Sequence, residues 1–170
     1  MTGRHLIRRL WRHLCTDRAT VRRAFPKASL QRIEALIAEG EGGHRGQVRF
    51  AVEAALPLAR LLKGARPRER ALEVFASLRI WDTAENCGVL VYLLLGDHDV
   101  EIVADRGIHA QVGAAAWEAI CRTMEKAFRA GRFGEGVEAG LAEINALLIR
   151  HYPREGRPPG NELADRPVLL

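Results

Sequence analysis

Eight residues, GVLVYLLL at 88–95, constrain the fold of this chain more than any others. Every position is apolar, so the run lacks the in-and-out alternation of a strand with one wet face. Its length and its Val, Leu and Tyr content are those of a strand covered on both faces. Such a strand belongs at the centre of a sheet that carries helices on both sides. The run also falls far short of the roughly 20 apolar residues that a membrane-spanning helix needs.

The flanking sequence supplies the rest of the sheet. Val48, Phe50 and Val52 alternate with Arg49, Ala51 and Glu53, which predicts a first strand. Between it and the apolar run, Gly64 and Pro67 introduce a helix from Arg68 to Leu78, with Ala71, Leu72, Phe75 and Leu78 at helical spacing. Strand, helix, strand is a crossover unit, whose two strands run parallel with right-handed chirality. GDHD at 96–99 is a tight turn, and Val100, Ile102 and Ala104 then alternate with Glu101 and Val103, so a third strand returns antiparallel as a hairpin partner.

The remaining segments read as helices and loops. HLIRRLWRHL carries Leu6, Leu10 and Leu14 with Ile7 and Trp11 beside them, while Arg4, Arg8, Arg9 and Arg12 occupy other faces: an amphipathic basic helix. It can dock its stripe on its own core, or lie on an anionic membrane surface or a partner. A second short helix ends at Phe25 before Pro26. Ser29 then caps LQRIEALIAEG, whose Leu30, Ile33, Leu36 and Ile37 face inward and whose Gly40 is the stop. GEGGHRGQ is loop. One helix is expected over 110–130, with Val112, Ala116, Ile120, Met124 and Phe128 on a stripe, and another over 135–150, with Val137, Leu141, Ile144 and Leu148. From Tyr152 onward four prolines and two glycines argue against regular structure, leaving a tail that is loose or strapped across the surface by Val168 to Leu170. The chain therefore divides into a basic amphipathic segment over 1–24, one α/β domain over 25–152 and a Pro-rich tail over 153–170.

Charge narrows the function classes. Residues 1–32 hold nine basic side chains against one acid, Asp17, whereas the rest holds 17 against 20. The net charge of +5 thus belongs to one segment rather than to the domain, and nucleic-acid binding is disfavoured. Three cysteines, Cys15, Cys87 and Cys121, form no C-x-x-C pair and suit reduced thiols in a cytoplasmic protein; no secretory signal is legible at the N-terminus. No Gly-rich nucleotide loop is present, because GEGGHRG lacks the Lys-Ser/Thr ending and precedes a strand, so no nucleotide cofactor is expected.

The chain directions place the start of the first strand, the start of the second and the end of the third along one end of the sheet. That end collects Asp82, Thr83, Glu85, Asn86 and Asp105, with His44 and His109 at its margin. Carboxylates and an amide oxygen converging on irregular backbone are what hard cations such as calcium or magnesium prefer, and carboxylates pressed together can also serve general acid or base work. The same residues can equally cap turns or pair with Arg70 or Arg106. No Ser, Cys or His nucleophile is arranged with a base, which disfavours covalent catalysis. His98 and His151 read as solvated surface.

NCGVLVYLLLGDHDVEIVADRGI followed by FRAGRFGEGVEAGLAEI resembles the TPM domain, a family named partly for a thylakoid lumen protein of photosystem repair. The ordered set carries the resemblance over about residues 25–150: Trp81, Asn86 and Gly88, the charged hairpin, Asp105 and Gly107, then Phe128, Gly131, Phe133 and Gly136. It implies an α/β/α sandwich with a small mixed sheet, divalent-cation binding and, in some members, acid phosphatase activity; others resemble accessory proteins in membrane-protein maintenance. The expectation is therefore a lone bacterial TPM-like domain with a calcium or magnesium site at Asp82, Glu85, Asn86 and Asp105 and phosphatase-like hydrolysis of phosphoesters by metal-bound water. The alternative is a non-enzymatic module for a membrane protein or an anionic membrane surface, recruited through Arg4, Arg8, Arg9 and Arg12.

Overall fold

The protein is an α/β/α sandwich in a computed structural model that describes residues 3–154 and 162–170, with side chains from Leu6 onward. In chain order the elements are α1 (Gly3–Cys15), α2 (Arg18–Ala24), α3 (Lys27–Glu41), β1 (Gln47–Glu53), α4 (Leu58–Leu62), α5 (Pro67–Ser77), β2 (Gly88–Leu94), β3 (Asp99–Ala104), α6 (Arg106–Val112), α7 (Ala114–Arg129), α8 (Phe133–His151) and β4 (Val168–Leu169). The sheet order is β3-β2-β1-β4. β1 and β2 are parallel from Gln47 opposite Gly88 to Glu53 opposite Leu94, and β2 and β3 are antiparallel from Val89 opposite Ala104 to Leu94 opposite Asp99.

The apolar run is β2, buried at all seven positions because a core lies on each side of it. Val89, Val91 and Leu93 join Val48, Phe50 and Val52 of β1 under the α3, α7 and α8 layer, where Ile33, Ile37, Met124, Phe128, Leu141 and Leu148 fill the space. Leu90, Tyr92 and Leu94 face the other way, against Leu61 of α4 and Ala71 and Val74 of α5. A tyrosine in a fully buried strand needs a partner for its hydroxyl. Tyr92 donates to Glu53 at 2.7 Å, and Arg70 donates to the same carboxyl oxygen at 2.8 Å.

Four expectations are corrected. The single helix over 110–130 is two, because Gly113 takes φ 79°, ψ 158°, a conformation essentially closed to residues with a Cβ; α6 ends and α7 begins there. Ser29 is not the cap of α3: the helix already starts at Lys27 behind Pro26, and Ser29 lies in its first turn. Gly40 does not stop α3, which continues to Glu41; Gly40 instead makes room for Asn145 of α8. The tail is strapped by Val168 to Leu170, one of the two alternatives expected, but not without regular structure, since Val168 and Leu169 pair in parallel with Ala51 and Val52 as a fourth strand. His98 is exposed as expected, with its ring edge-on to Phe133 at 5.3 Å, whereas His151 at the end of α8 is half-buried.

Candidate functional site

Parallel β1 and β2 with antiparallel β3 do bring the start of β1, the start of β2 and the end of β3 to one end of the sheet. The chain enters β2 through a tight loop. Thr83 Oγ1 accepts from the Cys87 amide at 3.1 Å, and Asn86 adopts left-handed φ 52°, a conformation Asn tolerates better than most residues. Gly88 follows where a Cβ would run into the Ile80 carbonyl. Asp105 leaves β3 as the cap of α6, with its Oδ1 accepting from the Arg106 amide at 2.6 Å. The two segments are tied by Asp105 N to Gly88 O at 2.8 Å and Ile108 N to Asn86 O at 3.2 Å.

The side chains predicted for this end divide into two groups. Asp105 is 6% exposed, and its second carboxyl oxygen has no hydrogen-bond partner among the described residues. Around Gly107, where a Cβ would meet them, stand the carbonyl oxygens of Glu85 and Asn86 and the Tyr152 hydroxyl. Asp82 and Glu85 are each paired with an arginine: Asp82 is exposed and bound to Arg79 at 2.6 Å, and Glu85 is held by Arg45 at 2.7 Å. His44 is buried, contacting Gly46 O at 3.1 Å and Asn145 Oδ1 at 3.2 Å, and its burial lowers its pKa. His109 is exposed and borders a different cleft, beside β3. Among the described residues no three His, Cys, Asp or Glu side chains converge as a metal-ligand group. Sequence reasoning missed Glu162, whose carboxylate reaches from the tail to accept from the Ala84 amide at 3.0 Å. Cys87 Sγ points at Arg45 O at 3.4 Å, and burial pushes its thiol up to about 11, so it is not a ready nucleophile.

A second constellation lies at the opposite end of the sheet, on α1. The face of α1 that meets the body of the protein is partly ionic. Arg9 grips Asp97 from two nitrogens, Nε at 3.0 Å and Nη2 at 2.8 Å from Oδ2, and also donates to Ala65 O at 3.0 Å. Arg12 reaches Asp97 Oδ1 at 3.3 Å. His13 Nδ1 accepts from the Leu56 amide at 3.0 Å, so its Nε2 carries the proton; that atom stands 3.1 Å from Asp97 Oδ1, close enough for electrostatic attraction though off the line of a well-aligned hydrogen bond. Burial alone would raise the Asp97 carboxyl, but the contacts from His13 and Arg9 outweigh it and hold it at about 2.

The outward face of α1 is apolar. Ile7, Trp11 and Leu14, spaced i, i+4, i+7, are 68%, 68% and 66% exposed. Of the predicted stripe only Leu6 and Leu10 turn inward, Leu10 onto the core beneath β2. Of the four arginines predicted to form a surface, Arg9 is instead half-buried in the clamp, with its side chain 13% exposed, and Arg12 reaches into the same clamp; Arg8 is exposed beside the apolar stripe, and the Arg4 side chain lies outside the described residues. Helix α4 packs beside α1 and adds the exposed Leu58 and Leu62. The whole-helix pattern could be read from the sequence, but which of its two faces turns inward depended on Asp97, whose position no local pattern reveals.

Helices on both faces of a small mixed sheet, with an irregular capped entry to the central strand, define an α/β sandwich of the kind the sequence resembles. The chain belongs to the TPM domain family, whose model matches residues 21–147. No curated protein matches it in sequence. Among solved structures, the BA42 protein of the psychrophilic bacterium Bizionia argentinensis superposes with a TM-score of 0.74 at 22% identity, covering 84% of this chain and 93% of that one. The N-terminal domain of a P. gingivalis protein superposes with a TM-score of 0.59 at 15% identity, covering 76% and 82%. At these identities the likeness is one of fold. No helix among the described residues is long and apolar enough to cross a membrane.

Proposed function

We propose that this TPM domain works as an interaction module that attaches to an anionic membrane surface through α1. One observation carries the reading: Ile7, Trp11 and Leu14 stand exposed on one stripe while the other face of the helix is fixed by the Arg9, Arg12 and His13 contacts to Asp97. A helix free to choose would bury that stripe. Held outward beside Arg8, it has the make-up of an interfacial helix, whose apolar side chains enter the acyl boundary while the arginine meets anionic headgroups.

Sedimentation with phosphatidylglycerol-containing vesicles tests this. The expected result is binding that weakens with salt and falls by about tenfold or more in Trp11→Ser, since burying a large apolar side chain is worth about 1.5–3 kcal/mol. Trp11 is exposed, so the variant keeps its fold. Equal binding by wild type and variant, or none by either, retires the proposal.

A second reading rests on Asp105. A buried carboxyl oxygen without a partner among the described residues, two positions before Gly107, around which two backbone carbonyls and a phenol stand, supplies the hard-oxygen types that calcium or magnesium takes. In this reading Asp105 and the Asn86 carbonyl are ligands, Asp82 and Glu85 join only after leaving Arg79 and Arg45, and a bound cation would supply the activated water for phosphoester hydrolysis. Calorimetry with calcium, magnesium and manganese checks it: wild type gives a saturable heat that Asp105→Asn abolishes, and null titrations of both remove the site.

A further inference from the structure

Between α3 and the segment that leads into β4 lies a cleft of about 720 Å³, bordered by Arg49 of β1. β4 is two residues long and pairs only with Ala51 and Val52, so the first half of β1 has no strand neighbour on that side. Most of the lining is apolar. Leu30 of α3 and Val168 of β4 are half-buried, and Leu169 is 47% exposed. An apolar body that enters the cleft and covers them removes further apolar surface from water.

The charges that border the same cleft are mostly of one sign. Lys27, Arg49 and Arg166 stand there against one carboxylate, Glu34. Asp165 and Glu41 act on Arg49, whereas Lys27 and Arg166 form no ion pair among the described residues. Lys27 is also the first residue of α3, which has no acid in its first turn and no side-chain cap, so the positive end of the helix dipole adds to the same potential. A cleft both apolar and cationic repels a cation and is complementary to an amphipathic anion.

We infer that this cleft binds a small amphipathic carboxylate, a molecule with an aliphatic or aromatic body and one anionic end. The body covers Leu30, Val168 and Leu169, and the carboxylate meets the charge of Lys27 and Arg166. The volume lies in the range of sites for small organic ligands and is far larger than an inorganic anion fills.

Octanoate is the probe; acetate keeps the anion without the body, and octylammonium keeps the body with the opposite charge. Calorimetry on the full chain is expected to show saturable binding of octanoate and none of the other two at the same concentrations. Arg166→Glu, at an exposed side chain, should weaken octanoate by about tenfold or more, equivalent to roughly 1.4 kcal/mol. Leu169→Ser should weaken it by about fivefold, through the lost apolar contact. Thermal unfolding of each variant shows that it is folded. The inference is overturned if wild type gives no heat with octanoate, if acetate or octylammonium binds equally well, or if either folded variant binds octanoate as wild type does.

Discussion

Asp97 is the residue on which most of the α1 arrangement turns. Its side chain is 9% exposed and shared by Arg9, Arg12 and His13, three residues more than eighty positions away in sequence. Its folded pKa of about 2 lies below the unfolded value of 3.8, so the stabilisation is present above the unfolded pKa and is lost as pH falls from about 4 toward 2. Asp97→Asn should therefore cost about 2 kcal/mol at pH 7 in urea unfolding, with the gap between variant and wild type shrinking at pH 3. A pH-independent gap would mean that the carboxylate charge is not what holds α1. The neighbouring Gly96 belongs to the same device, because a Cβ there would press on the His13 ring at 3.1 Å. The sequence showed GDHD as a turn, which it is, but gave no sign that its acid anchors the N-terminal helix.

At the scale of elements, periodicity located the strands well and the helix breaks less well. β2 and β3 were legible because an all-apolar run, a turn and an alternating run specify a hairpin almost unaided. The α6–α7 break was not, because Val112, Ala116 and Ile120 hold helical spacing across it. Only the backbone at Gly113 interrupts the helix, and a glycine within a helical pattern reads from sequence as tolerated. A Cβ at Gly113 meets open space, so Gly113→Ala isolates the backbone effect: the loss should be about 1–3 kcal/mol by chemical denaturation. Unchanged stability would mean that α6 and α7 can run on as one helix. The polar end of the sheet was legible at this same scale. Strand directions gathered its residues at one end of the sheet, but the arginines at 45 and 79 that pair with Glu85 and Asp82 could not be assigned partners from the sequence.

For the molecule as a whole, the tail completes the sandwich. β4 lies along β1, which would otherwise be an open edge, and Leu163, Val168 and Leu170 pack against the core beneath β2. The Gln47 side chain fastens the incoming segment by accepting from the amides of Glu162 and Leu163 at 3.0 and 2.9 Å. Removing residues 162–170 should lower the melting temperature and, by uncovering the β1 edge, raise light scattering at micromolar concentration. A truncated chain as stable and as monodisperse as the full one would make the tail dispensable.

The sequence by itself determined that a doubly covered central strand, a parallel crossover and a hairpin must form, since apolar burial on two faces leaves no other use for residues 88–95. It also determined that polar loop residues would gather at one end of that sheet. What only the tertiary structure decided is which charges find each other. Local pattern sets the secondary structure, but an ion pair such as Arg9 with Asp97, or an open carboxyl such as Asp105, depends on atoms brought together from distant parts of the chain. Those long-range encounters turned the apolar stripe of α1 outward, where a face of the same composition would ordinarily be buried.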